Sequence, residues 1–122
     1  MAKLRILVAE DEVLAAMAIE EELLAAGFEV ELAPDGEAAL EAARRHLPDL
    51  LLTDLRMPRL DGTGLIRAVR ALAPGLPVVV MTGYAGGHGP EAFRRPGEAP
   101  VALFAKPLDM DAVLAEIAKL LR

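Results

Sequence analysis

Short runs of β-type residues alternate with stretches of helix formers along the whole chain, and this alternation restricts the fold more than any single residue does. Residues 4–9 are apolar apart from Arg5 and read as a first strand. Residues 12–26 are rich in Ala, Leu and Glu, and Gly27 is placed to end them as a helix. Residues 28–33 alternate apolar side chains with Glu, the pattern of a half-buried strand. Pro34-Asp35-Gly36 is turn chemistry ahead of a helix over 37–46, which Pro48 stops before a buried strand at 50–53. A loop with Pro58 and Asp61-Gly62 leads to a helix over 63–73. Pro74, Gly75 and Pro77 then precede a fourth strand at 78–81. A fifth strand spans 101–105, and an amphipathic helix over 109–121 starts at Asp109 as N-cap. Such alternation implies a parallel sheet covered on both faces, an α/β doubly wound fold with strand order 2-1-3-4-5.

Composition is consistent with one domain over residues 1–122. Hydrophobic residues make up 54% and aromatics 3%, so the core is built from Leu, Val, Ile and Ala. There is no Cys, which excludes disulfides and thiolate metal sites and fits a reducing cytosol. No run reaches the ~20 apolar residues of a membrane span, and the first residues lack signal-peptide character, so a cytoplasmic location is expected with no membrane contact. The net charge of −6 opposes nucleic-acid binding, for which Arg44-Arg45 and Arg94-Arg95 are too small and separate. His46 and His88 have no partner at metal-ligand spacing and read as surface residues. One segment departs from the pattern: 83–100 carries five Gly and three Pro, counting Pro100, so the helix expected there is short or irregular. That segment is expected to be the most mobile part, with at most a turn or two over 91–95.

In a doubly wound sheet the ligand site lies outside the carboxyl ends of the strands, where the strand order reverses. Glu10 and Asp11 end strand one and Asp54 ends strand three, flanking that point. Thr82 and Lys106 end strands four and five on the same edge. Each has a commonplace reading alone: a helix cap, β-propensity, a surface lysine. Their coincidence on one edge points to chemistry. Three clustered carboxylates either raise a pKa or recruit a cation, and hard oxygen donors favour Mg²⁺. A metal and a Lys beside a carboxylate suit a transferring phosphoryl group, with Asp54 as nucleophile and Thr82 as a hydroxyl donor.

These residues resemble the receiver domain of two-component response regulators, over essentially the whole chain. The matching segments are Ile6-Leu7-Val8-Ala9-Glu10-Asp11-Glu12, Leu52-Thr53-Asp54-Leu55-Arg56-Met57-Pro58, Asp61-Gly62, Met81-Thr82-Gly83-Tyr84 and Lys106-Pro107. The resemblance implies a flavodoxin-like fold and phosphorylation of Asp54 by a histidine kinase or histidine phosphotransfer protein. It implies Mg²⁺ held by Glu10, Asp11, Asp54 and the backbone carbonyl of Arg56. Thr82 would turn toward the phosphoryl group, Lys106 would pair with it, and the peptide before Pro107 would be cis. Arg56 and Tyr84 border the path of hydrolytic water in this family and are expected to slow phosphoryl loss. Glu10 stands where Asp is more frequent, and Leu103 where many members carry a switch aromatic; Phe104 should point to the other face.

Gly83-Tyr84 and the weak crossing helix are similar to stand-alone and hybrid-kinase-attached receivers, whose output is a protein contact. On the first helix, Ala15, Ala18, Ile19 and Ala26 are expected in the core. Val13, Met17 and Leu24 are expected opposite, as a face for a phosphodonor helix or for a weak homodimer. Glu22, within the acidic run Glu20-Glu21-Glu22, intrudes on the expected core side. The main alternative is a phosphorylation-independent receiver-like interaction module. A haloacid-dehalogenase-like phosphatase would need an Asp where Arg56 stands. A flavin-binding protein would not place Glu10-Asp11-Glu12 at a phosphate loop.

Overall fold

Residues that alternate along a strand point to opposite faces, so a sheet covered on both sides needs apolar residues at nearly every position. β3 (Leu50–Asp54) and β4 (Val78–Thr82) meet that demand and have no exposed position. They lie with β1 (Arg5–Ala9), β2 (Glu29–Ala33) and β5 (Val101–Ala105) in one sheet of order β2-β1-β3-β4-β5, and every pair is parallel. The computed structural model describes residues 3–83 and 93–122, and these contain four helices: α1 (Val13–Ala25), α2 (Gly36–Arg45), α3 (Gly62–Leu72) and α4 (Met110–Leu120). The fold expected from the sequence is the one found, with element ends moved by a residue or two.

The core has two halves. On one face, Leu7, Leu51, Val78 and Val80 pack with Ala39 and Ala43 of α2 and Leu65 and Val69 of α3. On the other, Ile6, Leu52, Val79 and Met81 pack with Ile19 and Leu23 of α1 and Val113 and Ile117 of α4. Each fully buried aliphatic side chain contributes roughly 1.5–3 kcal/mol, which is how a chain with few aromatics is held together. Leu103 joins the first half and Phe104 the second, so the only aromatic of β5 lies on the face opposite Leu103. Three of the four helices described start on aspartates. Asp35 accepts from the Ala38 N–H at 2.8 Å, Asp61 from Gly64 at 2.8 Å, and Asp109 from Asp111 and Ala112. Each such cap is worth about 1 kcal/mol.

Two expectations are revised or left aside. The buried stripe of α1 is Ala16, Ile19 and Leu23, while Ala18, Glu22 and Ala26 are exposed and Ala15 is half-buried. Burying Leu23 removes far more apolar surface from water than burying Ala18 or Ala26, so the helix turns to put Leu23 inward. That rotation also returns Glu22 to solvent. Within 83–100, residues 83 and 93–100 form no α-helix. Tyr84, His88 and the expected mobility of 84–92 lie outside the described residues. Among the described residues, no helix is long and apolar enough to cross a membrane.

Arg70 is a charged residue in the interior of the α3 face, at 1% exposure. It sits on the same helical face as Ile66 and Val69, and its guanidinium donates to the carbonyls of Leu76 and Pro100, each at 3.1 Å. It also pairs with Glu98 at 3.3 Å. Burial lowers its pKa and the Glu98 carboxylate opposes that shift. Together these contacts tie the end of α3 to the segment that enters β5. Arg70→Ala is expected to lower the unfolding free energy in urea by about 3 kcal/mol, because Glu98 and two carbonyls lose a buried partner. Arg44→Ala, on the solvent side of α2, should change it by less than about 0.5 kcal/mol. Equal effects of the two substitutions would contradict this account of Arg70.

Candidate functional site

Because all five strands run the same way, the residues that follow β1, β3, β4 and β5 meet along one edge. Glu10 leaves β1 with its N–H on the Ala33 carbonyl at 3.1 Å, and its side chain is buried. Its Oε2 accepts from the Glu12 N–H at 3.1 Å, at the start of α1, which has no side-chain cap of its own. Asp11 is exposed beside it. Asp54 is the last residue of β3 and is 7% exposed. Lys106 extends the β4–β5 ladder by one step, its N–H donating to the Thr82 carbonyl at 2.7 Å. Strand pairing sets Ala105 level with Thr82 and places Lys106 one residue beyond it. The Lys106–Pro107 peptide is cis.

The Lys106 ammonium bridges two carboxylates, reaching Glu10 Oε1 at 2.8 Å and Asp54 Oδ2 at 2.7 Å. The Arg56 N–H points at the other Asp54 oxygen, at 3.4 Å. Asp54, Arg56, Thr82, Gly83 and Lys106 line a cavity of about 310 Å³ open to solvent. The sequence-derived residues Glu10, Asp11, Asp54, Arg56, Thr82 and Lys106 thus gather at one place, while Tyr84 lies outside the described residues.

Electrostatics explains the arrangement. Burial raises the pKa of Glu10; the Lys106 and Glu12 hydrogen bonds work against this, the Asp54 charge adds to it, and the net shift is upward. For Lys106, burial acts to lower the pKa, but the hydrogen bonds and charges of Asp54 and Glu10 outweigh it and hold the ammonium above its ordinary value. The site is therefore short of positive charge. One ammonium faces three carboxylates, and carboxylate oxygens of Glu10, Asp11 and Asp54 lie within 4.8 Å of one another. Closely set hard oxygen donors, two of them on buried side chains, fit a small divalent cation that keeps part of its water shell.

Two features escaped the sequence reading. Asp35, read only as part of a turn, is buried and paired with Arg59 at 2.7 Å. Arg59 itself has φ 72°, a left-handed conformation in a residue with a full side chain. Neither pairing nor backbone angle has a signal in a linear pattern. Arg70 was legible in principle, since it is spaced with Ile66 and Val69 on the buried stripe of α3.

The family described as the response regulator receiver domain matches residues 6–118. The transcriptional regulatory protein ZraR of Escherichia coli K12 is 34% identical over 116 residues, which is 95% of this chain and 26% of ZraR. Protein-glutamate methylesterase/protein-glutamine glutaminase 1 of Anaeromyxobacter dehalogenans is 39% identical over 103 residues, 84% of this chain and 29% of that protein. The chain thus spans only about a quarter of the length of these curated relatives. Among solved structures, a CheY-like response regulator receiver domain protein from Methanospirillum hungatei superposes with a TM-score of 0.88 at 27% identity, covering 98% of this chain and 94% of that one. The receiver domain of the hybrid histidine kinase CckA gives 0.79 at 32% identity, covering 97% and 99%.

The raised Glu10 pKa has a consequence for metal-free protein. Ionised Glu10 costs stability at neutral pH, and that cost is relieved as pH falls through the raised value toward 4.5, its value when unfolded. Glu10→Gln keeps an oxygen for Lys106 and removes the cost at every pH. In calorimetry with a chelator, the variant is expected to melt above the parent at pH 7, with the gap narrowing as the pH falls. A variant less stable than the parent at pH 7 would contradict this reading.

Proposed function

The chain belongs to the response regulator receiver family, and from that premise we propose that it accepts a phosphoryl group on Asp54 from a histidine kinase or histidine phosphotransfer protein, acting in the cytoplasm as a single receiver domain over residues 1–122. One observation carries this reading: the Lys106 ammonium set between the buried carboxylates of Glu10 and Asp54, beside a cavity that Thr82 also lines. A structural ion pair would need one carboxylate per ammonium. The surplus negative charge here suits a site completed by a cation.

Glu10, Asp11, Asp54 and the Arg56 carbonyl are the groups that would hold Mg²⁺. When bound, the cation neutralises carboxylate charge and draws in phosphoryl oxygens. An Asp54 oxygen attacks phosphorus in line with the leaving imidazole nitrogen of a phosphohistidine; an O–P bond forms as the N–P bond breaks. Lys106 shifts from the two carboxylates toward the phosphoryl oxygens, whose charge is now the larger. The Thr82 hydroxyl donates to another of these oxygens. Arg56 is exposed at the mouth of the cavity and, with Tyr84, slows the approach of hydrolytic water. The chain is then no enzyme acting on a separate substrate, but an acceptor that assists its own phosphorylation and dephosphorylation.

Output through a protein contact is the reading favoured over nucleic-acid binding, given the net charge of −6. Val13, Leu14, Met17 and Leu24 leave α1 with large apolar side chains in solvent, at 67%, 77%, 54% and 52% exposure. Such a strip next to Glu10 and Asp11 suits the helix of a phosphodonor, with a weak homodimer as the second use of the same face.

Intact mass after incubation with Mg²⁺ and acetyl phosphate is expected to reveal one phosphoryl adduct, absent in Asp54→Asn and lost several-fold faster in Arg56→Ala. No adduct on folded parent protein would favour a phosphorylation-independent interaction module instead. Met17→Glu is expected to slow transfer from a phosphohistidine protein about tenfold while leaving acetyl phosphate labelling unchanged. Equal effects on both donors would remove α1 as the docking face.

A further inference from the structure

The β2–α2 turn supplies no ligand to the site, yet both halves of the site are fastened to it. The Ala33 carbonyl, at the end of β2, accepts the Glu10 N–H at 3.1 Å and so fixes the acidic pair after β1. The next two contacts reach the loop after β3. Asp35 pairs with Arg59 at 2.7 Å, and Gly36 lies directly against Leu60. A Cβ on Gly36 would sit 1.8 Å from the Leu60 carbonyl oxygen, so this approach is open only to glycine. Two consecutive residues of the turn thus clasp two consecutive residues of the loop.

That loop runs from Asp54 to Gly62, and Arg56 lies within it. Its far end is equally confined. The Gly62 N–H donates to the Leu55 carbonyl at 2.8 Å, and a Cβ on Gly62 would come within 2.2 Å of the Asp54 carbonyl oxygen. Asp61 caps α3. Between these closures Arg59 takes φ 72°, a conformation costly for any residue with a side chain. The conformation aims the guanidinium at Asp35, whose carboxyl the Ala38 N–H and then Arg59 hold below the ordinary range against the effect of burial. A surface ion pair with one partner 63% exposed adds little to global stability. Its value lies in where it holds the chain.

We propose that Arg59 is a positioning residue: through its pair with Asp35 and the Gly36–Leu60 contact, it sets the backbone between Asp54 and Gly62 so that the Arg56 carbonyl meets the cation held by Glu10, Asp11 and Asp54. This rests on the metal-assisted reading of the site given above. Arg59 and Asp35 touch none of these ligands, so their influence runs through the backbone of the loop, as supporting groups outside a metal's own ligands do when they orient them.

Direct Mg²⁺ titration of the whole chain, followed by heteronuclear NMR, tests the proposal. Arg59→Gly relaxes the backbone angle but deletes the ion pair, and Asp35→Asn keeps an oxygen for the Ala38 N–H but deletes the charge. Each is expected to weaken Mg²⁺ binding about tenfold, with the double variant no weaker than either and Arg59→Lys recovering most of the loss. Metal-free melting temperature should be unchanged or higher in Arg59→Gly, which separates positioning from general loosening. Affinities within about twofold of the parent in both single variants, or losses that multiply in the double variant, would overturn the proposal. A parent that binds Mg²⁺ and takes a phosphoryl group while the variants bind equally well would sink this inference alone. A parent that binds no Mg²⁺ would sink it together with the metal-assisted reading.

Discussion

All five strands are parallel, and the order β2-β1-β3-β4-β5 reverses direction at β1 and β3. Everything at the site follows from that constraint. Parallel pairing sends the carboxyl end of each strand to the same edge, and reversal leaves a gap there between the loops after β1 and β3. Lys106 closes across this gap onto residues 96 and 52 positions earlier in the chain. No local segment could assemble such a cluster; the two-sided aliphatic core does it by holding β1, β3, β4 and β5 in register.

The contrast between Arg70 and Lys106, each hydrogen-bonded to carboxylate, separates structure from chemistry. Arg70 is enclosed, and its partners are one carboxylate and two backbone carbonyls, which spread a single charge over fixed acceptors. Lys106 is partly open to solvent and shares its charge between two carboxylates, with a third close by. The first arrangement balances its charge within the chain, and only the buried Nε lacks a partner among the described residues. The second has negative charge left over and an open cavity in front of it, which fits the cation and phosphoryl group of the proposed reaction.

Much of this was legible in the sequence, for physical reasons. Strands buried on both faces give unbroken apolar runs such as Leu50–Leu51–Leu52 and Val78–Val79–Val80, and Pro and Gly mark where they end. Polar residues at those ends stood out because the interior excludes them. Helix α1 was harder to orient, since Ala occurs on every side of it and blurs the 3.6-residue period; the buried stripe is decided by Ile19 and Leu23. The Asp35–Arg59 pair was invisible, because it joins positions 24 apart through a loop whose shape depends on one left-handed residue. Arg70 had the right spacing for burial, but a charged side chain on an amphipathic helix ordinarily reads as solvent-facing.

The central claim is that Lys106 is the counter-charge shared by Glu10 and Asp54. The most direct measurement is the titration of its ammonium group, followed through the Cε carbon by NMR in metal-free parent, Asp54→Asn and Glu10→Gln. A pKa above the ordinary 10.5 is expected in the parent and a fall in each variant, with the two carboxylates acting together. An ordinary value in the parent that neither substitution moves would contradict it.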